Sequence, residues 1–101
     1  MRKDRKNKKF LNRIVITDKD KIFFHYQQNF SNFVLKIRGE LTQQELATAL
    51  SKYTPSNREI KQTSIASYEN CKTLPNIDTL YAISRYSGIS SDKILDIIFK
   101  V

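Results

Sequence analysis

The chain has 101 residues, of which 28% are charged, and its formal net charge is +8. This length allows one small domain with a single core, and the charge favours anionic partners such as nucleic acid or, less often, an acidic membrane surface. Cys71 is the only cysteine, which excludes an internal disulfide framework and predicts a reducing, cytoplasmic location. We also find no apolar run as long as a membrane span and no apolar core behind the charged start, so the chain lacks the pattern of a signal peptide.

The amino-terminal segment, residues 1–17, precedes the predicted domain at residues 18–101. Residues 1–21 hold nine Lys or Arg against three Asp, so most of the net charge lies here. We interpret residues 1–9 as a basic arm that either solubilises the protein or contacts nucleic acid. Phe10–Thr17 is rich in β-branched residues and predicts a short strand, or an extended segment lying on the domain or on a partner subunit. The cationic side chains of the arm are Arg2, Lys3, Arg5, Lys6, Lys8 and Lys9.

A long helical pattern occupies residues 22–37. It predicts one long helix, or two helices with a break near residues 29–31, that end at Gly39. Its apolar stripe consists of Ile22, Phe23, Tyr26, Phe30, Phe33, Val34 and Ile37.

The aromatic residues at the start of this pattern exceed what a small core requires. Phe23, Phe24 and Tyr26 either extend the core or form an interface. We favour a dimer contact that also involves Phe10–Thr17, because contiguous exposed aromatic residues need a cover. His25 stands alone among them, so a packing role is expected rather than a ligand or a base.

The run LTQQELATAL, which begins at Leu41, predicts a short capped helix. Thr42 and Glu45 have the spacing of a capping box, in which each side chain accepts a hydrogen bond from the other residue's amide. A helix this short must pack on its neighbours to be stable. Its predicted buried stripe is Leu46, Ala47 and Leu50.

Turn-forming residues at 52–59 predict a loop, and a second short helix follows at residues 61–69. The outer face of that helix carries small polar groups, whereas its inner face is apolar. The outer residues are Lys61, Gln62, Thr63, Ser64 and Ser67, and the inner residues are Ile60, Ile65 and Tyr68.

Two further helices complete an all-α domain. Asn76 is expected to cap the first and Gly88 to end it, and Ser90 or Ser91 is expected to cap the second. The total is five or six helices and at most one strand. The predicted apolar stripes are Ile77, Leu80, Ile83 and Tyr81 in the first helix and Ile94, Leu95, Ile98 and Phe99 in the second.

Three blocks of the sequence, LTQQELA, TSIASYEN and LPNIDTLYAISRYSGIS, occur in an order that resembles the signature of one family. They are similar to the blocks of the lambda-repressor/Cro-type (XRE-like) helix-turn-helix domains. The resemblance covers about residues 30–98 and implies a five- to six-helix fold in which the second helix of the motif enters the major groove of DNA.

The resemblance also implies which residues touch DNA. Amide and hydroxyl groups pair with base edges, and a glutamine suits adenine. By resemblance, the expected base contacts are Gln62, Thr63 and Ser67, and the expected phosphate contacts are Gln43, Asn70, Lys72 and Thr73. The chemistry of the outer face adds Ser64 to the base contacts and Lys61 to the phosphate contacts, and Arg58 in the long connection adds a further phosphate contact. Glu69 matches an acidic family position that we interpret as structural.

Two features depart from the family pattern. The connection between the motif's two helices is about eight residues longer than usual, and the register of Lys61 and Gln62 depends on how it folds. Cys71 stands where the family usually has glycine. A left-handed residue other than glycine costs roughly 1–2 kcal/mol, so we expect Asn70 to adopt that conformation or the turn to differ.

The sequence therefore predicts a sequence-specific binder of double-stranded DNA that acts as a transcriptional regulator, in particular a repressor of bacterial, phage or mobile-element origin. It would bind an inverted repeat as a homodimer. The alternatives are the antitoxin of a toxin–antitoxin pair and a protein-binding module that kept the fold without DNA binding. An enzyme, a metal or another cofactor is not expected: Asp92 and Asp96 share a helix face without a catalytic partner, and Cys71 lacks a metal-spaced partner.

Overall fold

A computed structural model describes residues 18–100, with side chains from Lys21 onward. The predictions for the basic arm and for a strand at Phe10–Thr17 lie outside the described residues. The part described contains five α-helices and no strand, which confirms the all-α class. The helices are α1 (Asp18–Arg38), α2 (Gln43–Ser51), α3 (Gln62–Glu69), α4 (Ile77–Ser87) and α5 (Ser91–Phe99).

Helix α1 continues without a break through residues 29–31, so the single-helix alternative is correct. Asparagine and serine disturb helices when their side chains compete for nearby backbone groups. Here both side chains are used elsewhere. Asn29 Nδ2 donates to the carbonyl of Ile98 at 2.9 Å, and Ser31 Oγ donates to the carbonyl of Glu69 at 2.8 Å. These bonds attach the middle of α1 to the carboxyl ends of α5 and α3.

The core lies where all five helices meet. Phe30 of α1 is fully buried, and its ring meets that of Tyr68 edge-on, with the centroids 5.0 Å apart. The predicted stripe of α2 and the predicted inner face of α3 are both confirmed as buried. The core residues are Phe30, Phe33, Val34, Leu46, Ala47, Leu50, Ile60, Ile65, Tyr68, Ala82, Ile83, Ile94 and Ile98.

Some predicted core residues lie at the surface instead. Ile77 is 84% exposed because it is the first residue of α4, and the buried face of that helix passes through Thr79, Ala82 and Ile83. The remaining exposed members of the predicted stripes are Ile22, Phe23, Tyr81, Leu95 and Phe99. Those on α1 precede the part of the helix that packs on the core.

The ends of α4 and α5 are as predicted. Asn76 Oδ1 accepts from the Thr79 amide at 2.8 Å, and Gly88 ends α4 in the left-handed conformation at φ 76°. Ser90 caps α5 by accepting from the Lys93 amide at 3.2 Å. Among residues 18–100 there is no helix with the length and apolar character needed to cross a membrane.

Candidate nucleic-acid interface

The amino terminus of α2 has the predicted capping box. Thr42 Oγ1 accepts from the Glu45 amide at 3.0 Å, and Glu45 Oε1 accepts from the Thr42 amide at 2.8 Å. The box fixes where the helix begins, and Gln43 is its first residue. Gln43 is thereby placed at the positive end of the helix dipole, where backbone N–H groups have no helical partner.

The long connection between α2 and α3 closes on itself. Ser51 Oγ donates to the Ala47 carbonyl at 2.8 Å and accepts from the Ile60 amide at 2.8 Å, so the two ends of the connection are joined. Inside it, the buried Thr54 donates to the Arg58 carbonyl at 2.9 Å, and Asn57 adopts a left-handed conformation. The connection is therefore closed at its base, and Ser51 ties the end of α2 to Ile60, next to the N-cap of α3.

The outer part of this connection is attached to α4. Ser56 Oγ donates to Asp78 Oδ2 at 2.6 Å, and Arg58 Nε lies 3.5 Å from the same oxygen. The rings of Tyr53 and Tyr86 also meet, with centroids 6.3 Å apart. The Arg58 side chain, predicted to contact phosphate, is thus paired with Asp78 but remains 54% exposed.

Helix α3 presents small polar groups on its outer face. Thr63 is exposed, whereas Gln62, Ser64 and Ser67 are partly exposed. Three of these predicted base-contacting residues border an open groove of about 290 Å³ beside the helix. The groove is lined by Thr63, Ser64, Ser67, Tyr68, Thr73, Leu74 and Asn76. Asn76 was predicted only as a helix cap, and its place beside α3 depends on the turn that precedes α4.

A chain of polar side chains links α1, α2 and α3. Arg38 Nε donates to Glu69 Oε2 at 2.6 Å, and Arg38 Nη1 donates to the Leu41 carbonyl at 2.7 Å. Glu69 Oε1 accepts from Gln43 Nε2 at 2.7 Å, and Gln43 Oε1 accepts from Gln62 Nε2. The predicted base-contacting Gln62 is therefore braced by the predicted phosphate-contacting Gln43. The part played by Arg38 was not predicted, since its only signal in the sequence is a cation in the last turn of α1.

The carboxyl end of α3 corrects one prediction. Asn70 is the C-cap with φ −91°, and Cys71 itself adopts the left-handed conformation with φ 60°. The Cys71 amide donates to the Tyr68 carbonyl at 3.2 Å, and the Lys72 amide donates to the Ser67 carbonyl at 2.9 Å. This bond pair is a Schellman motif, which requires the left-handed residue directly after the cap. The expectation that Asn70 would adopt it was therefore wrong.

The other predicted phosphate contacts lie at the two ends of α3. Lys61 is its N-cap, and Asn70, Lys72 and Thr73 follow its carboxyl end; all four are exposed. Gln27 Nε2 of α1 donates to the Lys72 carbonyl at 3.1 Å, which fixes the backbone there. Cationic side chains thus flank the polar outer face of the helix.

The inner face of α3 carries one perturbed group. Burial raises the pKa of Tyr68, while the Thr79 hydroxyl and the charge of Arg58 lower it by less. As the pH rises, Tyr68 therefore loses its hydroxyl proton at a lower pH in the unfolded chain than in the folded protein. The free energy of unfolding should fall above about pH 10, where free tyrosine ionises. Below that pH the Tyr68 hydroxyl is neutral, as its place in the core requires.

Within the described part of the chain, no group of three or more His, Cys, Asp or Glu is arranged to hold a metal ion. Comparison of the sequence and structure with protein-family models, curated proteins and solved structures gives no match. The relation to the lambda-repressor/Cro-type domains thus stays a prediction based on the three sequence blocks.

Proposed function

We propose that this protein is a helix-turn-helix transcriptional regulator of the lambda-repressor/Cro type, which binds double-stranded DNA in a sequence-specific manner. Helix α2 lies across the sugar–phosphate backbone, and α3 enters the major groove. The protein acts as a repressor of transcription and is of bacterial, phage or mobile-element origin.

The observation that carries this proposal is the outer face of α3. A helix that reads base edges must present donors and acceptors without bulky apolar groups, in a groove about 12 Å wide. Thr63, Ser64 and Ser67 meet this requirement and are at least partly exposed, while Ile65 and Tyr68 hold the helix to the core.

The surroundings of α3 are suited to the DNA backbone. Gln43 at the start of α2 donates to phosphate together with the free N–H groups of that helix. Phosphate is also held by Lys61, Asn70, Lys72, Thr73 and Arg58. The basic arm at residues 1–9 adds a sequence-independent attraction that weakens as salt is raised.

The domain acts as a homodimer on an inverted repeat. The start of α1 and the end of α5 expose large apolar side chains, each about half accessible: Ile22, Phe23, Phe24 and Phe99. A second copy that covers this surface places two recognition helices on half-sites about one helical turn apart.

Selection of bound duplexes from a random DNA pool at near-physiological salt tests the proposal. The expected result is an enriched inverted repeat. The matched control is Thr63→Glu, which adds a negative charge to the outer face near the helix amino terminus, where acids are tolerated. Failure of the wild-type protein to enrich any sequence, or enrichment that survives in Thr63→Glu, would contradict the proposal.

The same exposed apolar surface favours a second candidate, the antitoxin of a toxin–antitoxin pair. Here the start of α1 binds a different protein instead of a second copy. The two candidates differ in the mass of the purified complex. A homodimer has twice the 11.9 kDa of the chain, whereas an antitoxin carries a co-purified toxin that Phe23→Glu releases without loss of DNA binding by the remaining domain.

A further inference from the structure

We infer that the long connection between α2 and α3 forms a second clamp on the DNA backbone, in which Asp78 positions Arg58 to hold a phosphate. That phosphate belongs to the strand opposite to the one that Gln43 contacts. The inference rests on the proposed function. It concerns residues 52–59, where this chain departs from the family that it resembles.

The two flanks of α3 are occupied by different parts of the chain. Successive residues of an α-helix lie about 100° apart around its axis, so Gln62 and Ser64 are separated by about 200°. Gln62, on one flank, bonds to Gln43 of α2. Ser64, on the other flank, lines the groove between α3 and the turn that leads to α4. The outer face with Thr63 lies between the two flanks.

Arg58 lies on the groove side of α3. Its Nε is 3.5 Å from Oδ2 of Asp78, which follows Asn76 of the groove wall by two residues. Tyr68 also lines the groove; burial raises its pKa and the charge of Arg58 lowers it, which requires the guanidinium to lie near that ring. The connection therefore brings its cation to the flank of α3 opposite to Gln43.

The two flanks of a helix in the major groove face different strands. The groove is about 12 Å wide and a helix with its side chains is about as wide, so each flank lies against one sugar–phosphate backbone. With the amino end of α2 directed at one backbone, the cation on the other flank meets the second. Gln43 and Arg58 then hold the half-site from both sides.

Asp78 holds the guanidinium of Arg58 from the side. Its Oδ2 faces Nε and also accepts from Ser56 Oγ at 2.6 Å, which fixes the connection at this point. This contact leaves the two Nη groups for a second anion such as phosphate. The Arg58 side chain is 54% exposed and that of Asp78 is 19% exposed, so the cation is the accessible member of the pair. Because a half-exposed ion pair contributes little to stability, the arrangement is better suited to positioning.

The first test measures how the binding of a selected duplex depends on salt. Arg58→Gln should lower the slope of log K against log salt by about one, because one phosphate contact is lost. The matched control is Arg85→Gln, which removes the same charge from an exposed arginine in the last turn of α4 and should keep the wild-type slope. An unchanged slope in Arg58→Gln, or an equal decrease in both variants, would overturn the inference.

The second test locates the phosphate. Each phosphate of one half-site is replaced in turn by an uncharged methylphosphonate, and the loss of affinity is measured for the wild-type protein, Arg58→Gln and Gln43→Ala. One replacement should weaken the wild-type protein about tenfold and Arg58→Gln only slightly. A second position, on the other strand, should become insensitive in Gln43→Ala. If both positions lie on the same strand, or if Arg58→Gln is as sensitive as the wild-type protein everywhere, the inference is wrong.

Asp78→Asn tests the positioning role. The variant loses a negative charge, so its general attraction to DNA should rise, yet its sensitivity to replacement of the Arg58 phosphate should fall because the guanidinium is no longer held. Ser56→Ala leaves the charge unchanged and removes the other bond to Asp78, so it should lower the same sensitivity even if Asp78→Asn does not fold. A sensitivity that is unchanged or increased would show that Asp78 competes with DNA for Arg58, which overturns its role.

The outcomes separate this inference from the proposed function. If the wild-type protein binds a selected duplex while Arg58→Gln keeps the wild-type slope and sensitivities, the inference alone fails. If the wild-type protein binds no duplex, the proposed function fails and the inference fails with it.

Discussion

The two ends of α3 differ in how they are held. At the carboxyl end, the Schellman bonds of Cys71 and Lys72 close the helix, and Ser31 and Gln27 of α1 bond to its backbone. At the amino end, Lys61 occupies the N-cap and makes no side-chain capping bond within residues 18–100. We call the carboxyl end of α3 its anchored end. We call the amino end its free end, because its backbone N–H groups have no side-chain cap even though the Gln62 side chain is braced by Gln43.

The amino end of α2 sharpens this contrast. It carries a complete capping box between Thr42 and Glu45, whereas α3, which packs directly against it, has the backbone geometry of a cap at Lys61 without the side chain to use it. Serine, threonine or asparagine would satisfy an amide there. A lysine instead places a positive charge beside unpaired N–H groups, an arrangement suited to a phosphate more than to a stable helix end.

The largest expected effect is at the anchored end. Arg38→Met leaves the buried Glu69 without its cation, and we expect the free energy of unfolding to fall by about 3 kcal/mol. Urea denaturation followed by circular dichroism measures it. The control is Arg58→Met, which removes a cation from the half-exposed pair with Asp78 and should cost less than about 1 kcal/mol. Equal losses of unfolding free energy in the two variants would show that the buried Glu69 does not depend on its ion pair with Arg38.

The next largest effect is expected at the free end of α3 and concerns the base specificity of DNA binding. Gln62→Ala should relax specificity at one base pair, at a cost of about 1–3 kcal/mol in discrimination. Competition binding with single-base variants of the selected site measures this. Lys61→Ala is the comparison, since loss of a phosphate contact weakens all sequences alike. If Gln62→Ala also weakens matched and random DNA equally, the assumed register of α3 is incorrect.

The sequence predicted those helix ends that are decided by neighbouring residues. The capping box of Thr42 and Glu45, the Asn76 and Ser90 caps and the stop at Gly88 all form within a few residues. Such local bonds leave a clear pattern in a single sequence. The inner and outer faces of α3 were likewise predictable, because helical spacing alone separates Ile65 and Tyr68 from Thr63.

Features that depend on distant partners could not be predicted in this way. The link from Arg38 to Glu69 joins residues 31 positions apart, and nothing in either neighbourhood indicates the other. The exposure of Ile77 follows from how α4 is turned against the core, which its spacing does not determine. For Cys71, the choice of left-handed residue followed from the motif that closes α3 and not from the residue's own preference.

Cys71 offers a smaller test of the anchored end. Its left-handed conformation at φ 60° costs roughly 1–2 kcal/mol for a residue with a Cβ, and glycine removes this strain while adding some chain entropy to the unfolded state. Cys71→Gly should therefore raise the free energy of unfolding by about 1 kcal/mol, measured by thermal and urea denaturation. Cys71→Ala keeps the Cβ and should give no such gain. A similar increase in both variants would assign the effect to loss of the thiol.

The smallest effect tests the free end directly. Lys61 already has the extended backbone of a cap, with φ −97° and ψ 158°, so Lys61→Ser should supply the missing bond and stabilise the protein by about 0.5 kcal/mol. The same variant should bind all DNA more weakly, because a phosphate contact is lost. Lys52→Ser removes an equal charge at the C-cap of α2 and should leave stability unchanged. If Lys61→Ser alone gains stability and loses affinity for DNA, the residue at this helix end favours DNA binding at the expense of stability. A gain in both stability and affinity would contradict the proposed phosphate contact of Lys61.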